Sequence, residues 1–150
     1  MASRSEVRIF TIREANEAAQ ELRQTLPAMR RTLQEIERLE DRLEVLDLIC
    51  SRAVSSENPD VQEYLALRVR YHRKISEFEG MLSSLEAQGY LLRDLDKGVV
   101  HFPARRGKQD VLLCWTEGER EIRHWHPLDD GRCSGDKTHE IRNEDFGEPR

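Results

Sequence analysis

Polar and apolar positions along the chain follow a helical period in the first half and a strand period in the second. Apolar side chains fall at Leu22, Leu26, Met29, Leu33, Ile36, Leu39, Leu43, Leu46 and Cys50. Steps of three and four place them on one stripe, the seam of an amphipathic or coiled-coil helix. Its start is marked by Thr11-Ile12-Arg13-Glu14. That is a capping box, with the Thr11 hydroxyl on the Glu14 amide and the Glu14 side chain reaching back, and Phe10 and Ala15 fit the flanking hydrophobic staple. Val7 to Phe10 lead in as a short strand or extended segment. Pro27 lies inside the pattern and removes a backbone donor, so a kink or break is expected between Gln24 and Pro27.

Ser55 to Pro59 interrupt the helix, and Asn58-Pro59-Asp60 start another. These three supply an N-cap, a proline at the first helical position and a first-turn acid. Val61, Tyr64, Leu65, Leu67, Tyr71, Ile75, Phe78, Leu82 and Leu85 continue it, and Gly89 fits the stop just past its end. After Gly89 come short β-favouring runs at Tyr90 to Leu92, Val99 to Phe102, Val111 to Trp115 and Ile122 to His126. Polar turns at Asp94 to Gly98, Arg105 to Lys108 and Glu117 to Arg120 separate them. The expected fold is α+β: a long antiparallel helical hairpin over 1–89, then a small three- to four-stranded antiparallel β-meander over 90–130 in the same domain. Trp115 and Trp125 are expected in its core, each indole near a polar partner. The stretch 131–150 is polar apart from Ile141 and Phe146 and is expected to be poorly ordered.

At 150 residues, with 37% hydrophobic and 35% charged side chains, the chain can bury a narrow seam and a small core but not a wide interior. The net charge of -5 is spread evenly: 13 basic against 16 acidic residues in 1–88, and 11 against 13 in 89–150. Arg30-Arg31 and the group Arg68, Arg70, Arg73 and Lys74 are local clusters answered by acids within a turn or two. No basic stripe exists, so nucleic-acid binding is not expected. No apolar run approaches the roughly 20 residues of a membrane span, and no secretory signal pattern opens the chain. Cys50, Cys114 and Cys133 make an odd number without a CxxC pair, against both a disulfide framework and a zinc ribbon. A cytoplasmic setting is the expectation.

Gly98-Val-Val-His-Phe-Pro-Ala, Val111-Leu-Leu-Cys-Trp, Gly118-Glu and Ile122-Arg-His-Trp-His126 follow one another in a distinctive order. With Arg8-Ile-Phe-Thr-Ile-Arg-Glu-Ala-Asn16 they resemble the DUF2203 family of small prokaryotic proteins without an assigned activity. The resemblance spans about residues 6–131, most specifically Leu113 to His126. Members usually carry an acidic residue before Phe-Pro, where this chain has His101, and an aromatic with a Gly-Arg pair where it reads Arg132-Cys133-Ser134-Gly135-Asp136. The resemblance implies the fold above and a bacterial cytoplasmic setting, and supplies no reaction.

Two kinds of site stand out. On a strand, His124 and His126 share a face while Trp125 points the other way. Zinc or iron would need further donors, and Asp129, Asp130, Cys114 or His101 could complete the set. Whether Cys114 faces the histidines turns on hairpin register. The competing reading is a half-buried strand whose histidines bond to backbone or acids. Gly118 with His124 and His126 mimics the start of a cupin motif, but its second half is missing; His139-Glu140 lacks the second His of an HExxH site. Cys114 beside Trp115 reads as a buried thiol, Cys50 as seam, and Glu117, Glu119 and Glu121 as a solvated turn. The second site is the helical seam, where Tyr64, Leu67 and Tyr71 either pack on the first helix or meet a partner. Two functions follow: a non-enzymatic self-associating module, expected as a homo-oligomer (a dimer), or a metal-binding protein, with metal-dependent hydrolysis as its enzymatic form.

Overall fold

The computed structural model describes residues 7–51, 57–128, 139–142 and 146. Helices α1 (Ile12–Cys50) and α2 (Pro59–Gln88) precede strands β1 (Leu91–Asp94), β2 (Val99–Arg106), β3 (Gln109–Thr116), β4 (His124–Pro127) and β5 (His139–Glu140). The strands form one antiparallel sheet in the order β1-β2-β3-β4-β5. The architecture is α+β, two long helices followed by this sheet. The chain divides into two compact units, residues 27–83 and the segments on either side of them. Among the described residues no helix is long and apolar enough to cross a membrane.

The sheet unit is assembled from locally encoded ends. Thr11 Oγ1 accepts the Glu14 amide at 3.0 Å and Glu14 Oε1 accepts the Thr11 amide at 3.1 Å, the reciprocal bonds of a capping box. At the far end of α2 the Gly89 amide donates to the Glu86 carbonyl at 3.0 Å and Tyr90 N–H to the Leu85 carbonyl at 3.2 Å. That is a Schellman stop, and it needs the left-handed φ of 93° at Gly89. Phe10 N–H donates to the Pro103 carbonyl at 2.7 Å, beyond the reach of the short β1. Phe10, Tyr90 and Phe102 then meet as a cluster of tilted and edge-on rings, with centroids 5.3 to 5.6 Å apart. Asn16 Oδ1 accepts the Ile122 amide at 2.8 Å, and Arg23 Nη2 donates to the Glu119 carbonyl at 2.7 Å, so the loop before β4 is held against the first turns of α1. The Glu119 carbonyl also takes the Trp115 indole N–H at 3.2 Å.

One expected break is absent and one strand is added. α1 runs through Pro27 without a break. The proline removes one bond from a long ladder, and buried Leu26 and Met29 flank it on the seam. The sheet gains a fifth strand from the polar tail. His139–Glu140 pair with β4, and Ile141, 5% exposed, donates its N–H to the Arg123 carbonyl at 2.7 Å. Two residues are too few to carry a readable alternation.

In the hairpin unit, Asn58 Oδ1 caps α2 by accepting the Asp60 amide at 2.8 Å. Thr32, Ile36, Leu39 and Leu46 of α1 are buried, whereas Tyr64, Leu67, Tyr71, Ile75 and Phe78 of α2 stay half-buried. Arg42 grips both Glu63 oxygens at 3.0 and 3.1 Å, and Lys74 Nζ reaches Glu35 at 2.9 Å and Glu77 at 3.2 Å. Water screens such pairs and holding two long side chains together costs entropy, so they set alignment more than stability.

Candidate metal centre

The β2–β3 hairpin closes through Gly107 and Lys108, with Gly107 in the left-handed region at φ 60°. A two-residue loop pins register, because each residue counted back from the turn has a defined opposite number. Arg106 pairs with Gln109, and five steps along His101 stands opposite Cys114. On the other side of β3, Cys114 pairs with His124 and Leu112 with His126. Alternation therefore puts His101, Cys114, His124 and His126 on one face and Phe102, Leu113 and Trp125 on the other.

Three of those four side chains converge. The Nε2 atoms of His101 and His126 lie 3.3 Å apart, with ring centroids at 4.5 Å and planes at 69°. Cys114 Sγ joins them, and all three ligand atoms lie within 4.8 Å of one another. Exposure is 1% for His101, 0% for His126 and 6% for Cys114. His126 Nδ1 sits 3.2 Å from the Pro127 carbonyl, which can only accept, so that nitrogen carries the proton. In the neutral ring the lone pair is then on Nε2, which faces His101 Nε2 at 3.3 Å. Burial, and then the neighbouring His126 and Arg93, push the His101 imidazole down to about 4. It is neutral at pH 7, the form a metal binds.

Donor type and spacing both suit a transition metal. Two imidazole nitrogens on a tetrahedral zinc, each about 2.0–2.1 Å from the ion, are about 3.3 Å apart, which matches the observed 3.3 Å. The bond from His126 Nδ1 to a backbone carbonyl is the outer-shell contact that fixes a ligating ring. A thiolate beside two imidazoles favours zinc over a hard, oxygen-seeking ion.

A family model described as "Uncharacterized conserved protein (DUF2203)" matches residues 8–134. The chain belongs to the DUF2203 family. The match takes in all three converging side chains and most of both units. No curated protein and no solved structure matches the chain.

The other expected site residues of this DUF2203 chain are placed differently. His124 shares the face of Cys114 but stays outside the cluster; its ring is partly exposed, with Nδ1 turned toward Glu119 Oε2 at 3.9 Å. Glu119 also accepts the Thr116 amide at 2.7 Å, so it shapes the turn. Asp129, Asp130 and Cys133 lie outside the described residues. Cys50 is a half-buried free thiol. Arg106 stands 4.8 Å over the Trp125 ring, and the His139 ring lies 4.6 Å from it. Its buried indole N–H meets no acceptor among the described residues, unlike that of Trp115.

In the hairpin unit the tyrosines reach across to α1. Tyr64 Oη donates to Asp47 Oδ1 at 3.4 Å and Tyr71 Oη to Glu40 Oε1 at 2.8 Å. They line a trough of about 400 Å³ together with Leu43, Glu44, Arg68 and His72. Leu67, the third residue of the expected contact, is half-buried on the seam. His101 and the trough are the parts that a reading of adjacent motifs undervalues. Register counted from Gly107 points to the first, and the alternation of Tyr64 and Tyr71 with charged neighbours to the second.

Proposed function

We propose that this DUF2203 protein binds one transition-metal ion, zinc in the first instance, through His101, Cys114 and His126. The observation that carries the reading is the sealed pair of imidazoles at 3.3 Å, with the His126 lone pair aimed inward and a thiol alongside. One ion placed among the three would take a lone pair from each of them. The ligands come from three adjacent strands, so the ion pins β2, β3 and β4 together. Such burial favours holding the ion over hydrolysis, which needs a position open to substrate. A fourth donor could come from Asp129 or Asp130, which follow β4 closely in sequence. A reducing compartment, the cytoplasm, keeps the Cys114 thiol available.

The test is native mass spectrometry of the full chain after chelator treatment and zinc addition. One zinc per chain is expected, lost in Cys114→Ser and in His101→Gln and retained in His124→Ala. A wild-type chain that takes up no zinc, or takes it up equally in Cys114→Ser and His101→Gln, overturns the reading.

A second reading concerns the hairpin unit, which we propose is a self-association module giving a homodimer. It is supported by the half-buried seam of α2 and by the trough floored by Tyr64 and Tyr71.

A further inference from the structure

The two long edges of the hairpin unit differ. One is closed by the ion pairs of Arg42 with Glu63 and of Lys74 with Glu35 and Glu77. The other is the open trough, with Glu40, Glu44 and Asp47 forming its α1 wall and Arg68 and His72 its α2 wall. Large aliphatic side chains continue both walls into solvent. Leu65 and Val69, at 54% and 59% exposure, lie three residues before Arg68 and His72 respectively, and Leu48, at 78%, lies one turn beyond Glu44. A surface with an acidic rim, a basic rim and apolar side chains beside both calls for an occupant carrying the same features in reverse order.

We propose that the occupant is a second copy of this chain, seated trough to trough about a two-fold axis running along the hairpin. The proposal rests on the self-association reading above and assigns its face and orientation. The axis sets α1 of each copy against α2 of the other, in an antiparallel four-helix bundle. Levels along the hairpin are preserved by this rotation. The contacts of Tyr64 with Asp47 and Tyr71 with Glu40 place Leu43 and Glu44 level with Leu67 and Arg68. Glu40 and Glu44 of one copy therefore face Arg68 and His72 of the other, while Leu48 and Leu65 come under cover. A two-fold axis running across the hairpin would set acidic wall on acidic wall, and like charge there opposes association. Charge thus selects the orientation as well as the partner.

The experiment is sedimentation velocity of the full chain at micromolar concentrations, with circular dichroism confirming unchanged helix content. The wild type is expected to be a dimer. Glu44→Lys and Arg68→Glu should each weaken it by about tenfold or more, since the symmetry repeats every like-charge contact. The double variant Glu44→Lys/Arg68→Glu should recover most of the affinity. A monomeric wild type overturns self-association and the assigned face together. A dimer indifferent to both single variants leaves self-association standing and overturns the face. A double variant no tighter than the weaker single overturns the orientation. Should a single variant lose helix content, the comparison passes to Leu65→Ser, where an unchanged dimer likewise overturns the assigned face.

Discussion

Acid should destabilise the metal-free protein through His101 in particular. Its imidazole takes a proton at about 4 in the fold and at 6.5 in the open chain. The unfolded chain therefore binds the proton more readily, so stability is intact above pH 6.5 and falls as the pH drops toward 4. The gap corresponds to about 3 kcal/mol across that window. Such a sum is a large share of the 5–15 kcal/mol typical of a domain. The physical causes are burial at 1% exposure, the second imidazole at 3.3 Å and the Arg93 charge. Urea unfolding of chelator-treated protein between pH 7.5 and 4.5 measures this, with His101→Gln as the control. Glutamine carries an N–H but does not titrate. The wild-type curve should fall more steeply than that of His101→Gln, by most of the predicted amount. Parallel curves would mean that His101 accepts a proton in the fold as easily as in water. His101 would then not be a sealed, neutral ligand. Zinc should delay the acid transition, because the ion competes with the proton for the same lone pair.

Two further substitutions test the scaffold. Thr11→Ala removes one half of the capping box and should cost about 1 kcal/mol, read as a lower urea midpoint with an unchanged slope. A loss near zero would show that the box is not formed in solution. Gly107→Val puts a β-branched residue at φ 60° in the two-residue turn and should cost about 1–2 kcal/mol. Because that turn sets His101 opposite Cys114, the variant should also bind zinc more weakly than His124→Ala does, as judged by competition with a chromophoric chelator.

The parts of this protein legible in the sequence are those held by contacts between near neighbours. Thr11 and Glu14 are three residues apart, Asn58 and Asp60 two, and the stop at Gly89 uses carbonyls three and five residues back. Local chemistry decides such features, and they appear where the residue types place them. The seam of α1 is legible for the same reason, since a 3.6-residue period lays Ile36, Leu39 and Leu46 on one stripe. Pro27 does not break α1, because one missing bond in a long ladder is outweighed by its neighbours.

The site depended on pairing between distant strands. The motif His124-Trp125-His126 suggested two histidines on one ion, but the fold separates them. His124 is drawn outward to Glu119, while His126 is buried against His101, a residue 25 positions earlier. Register from Gly107 could have placed His101 opposite Cys114 in advance. The longer connection between β3 and β4 has no such fixed count, because the contacts of Ile122 and Glu119 with α1 set it. The sequence by itself thus determined the helices, their caps and the strand-forming segments, through forces acting within one or two turns. Only the tertiary structure decided which imidazoles meet and which edge of the hairpin stays open, because side chains far apart in the chain had to be brought to one place before their chemistry could combine.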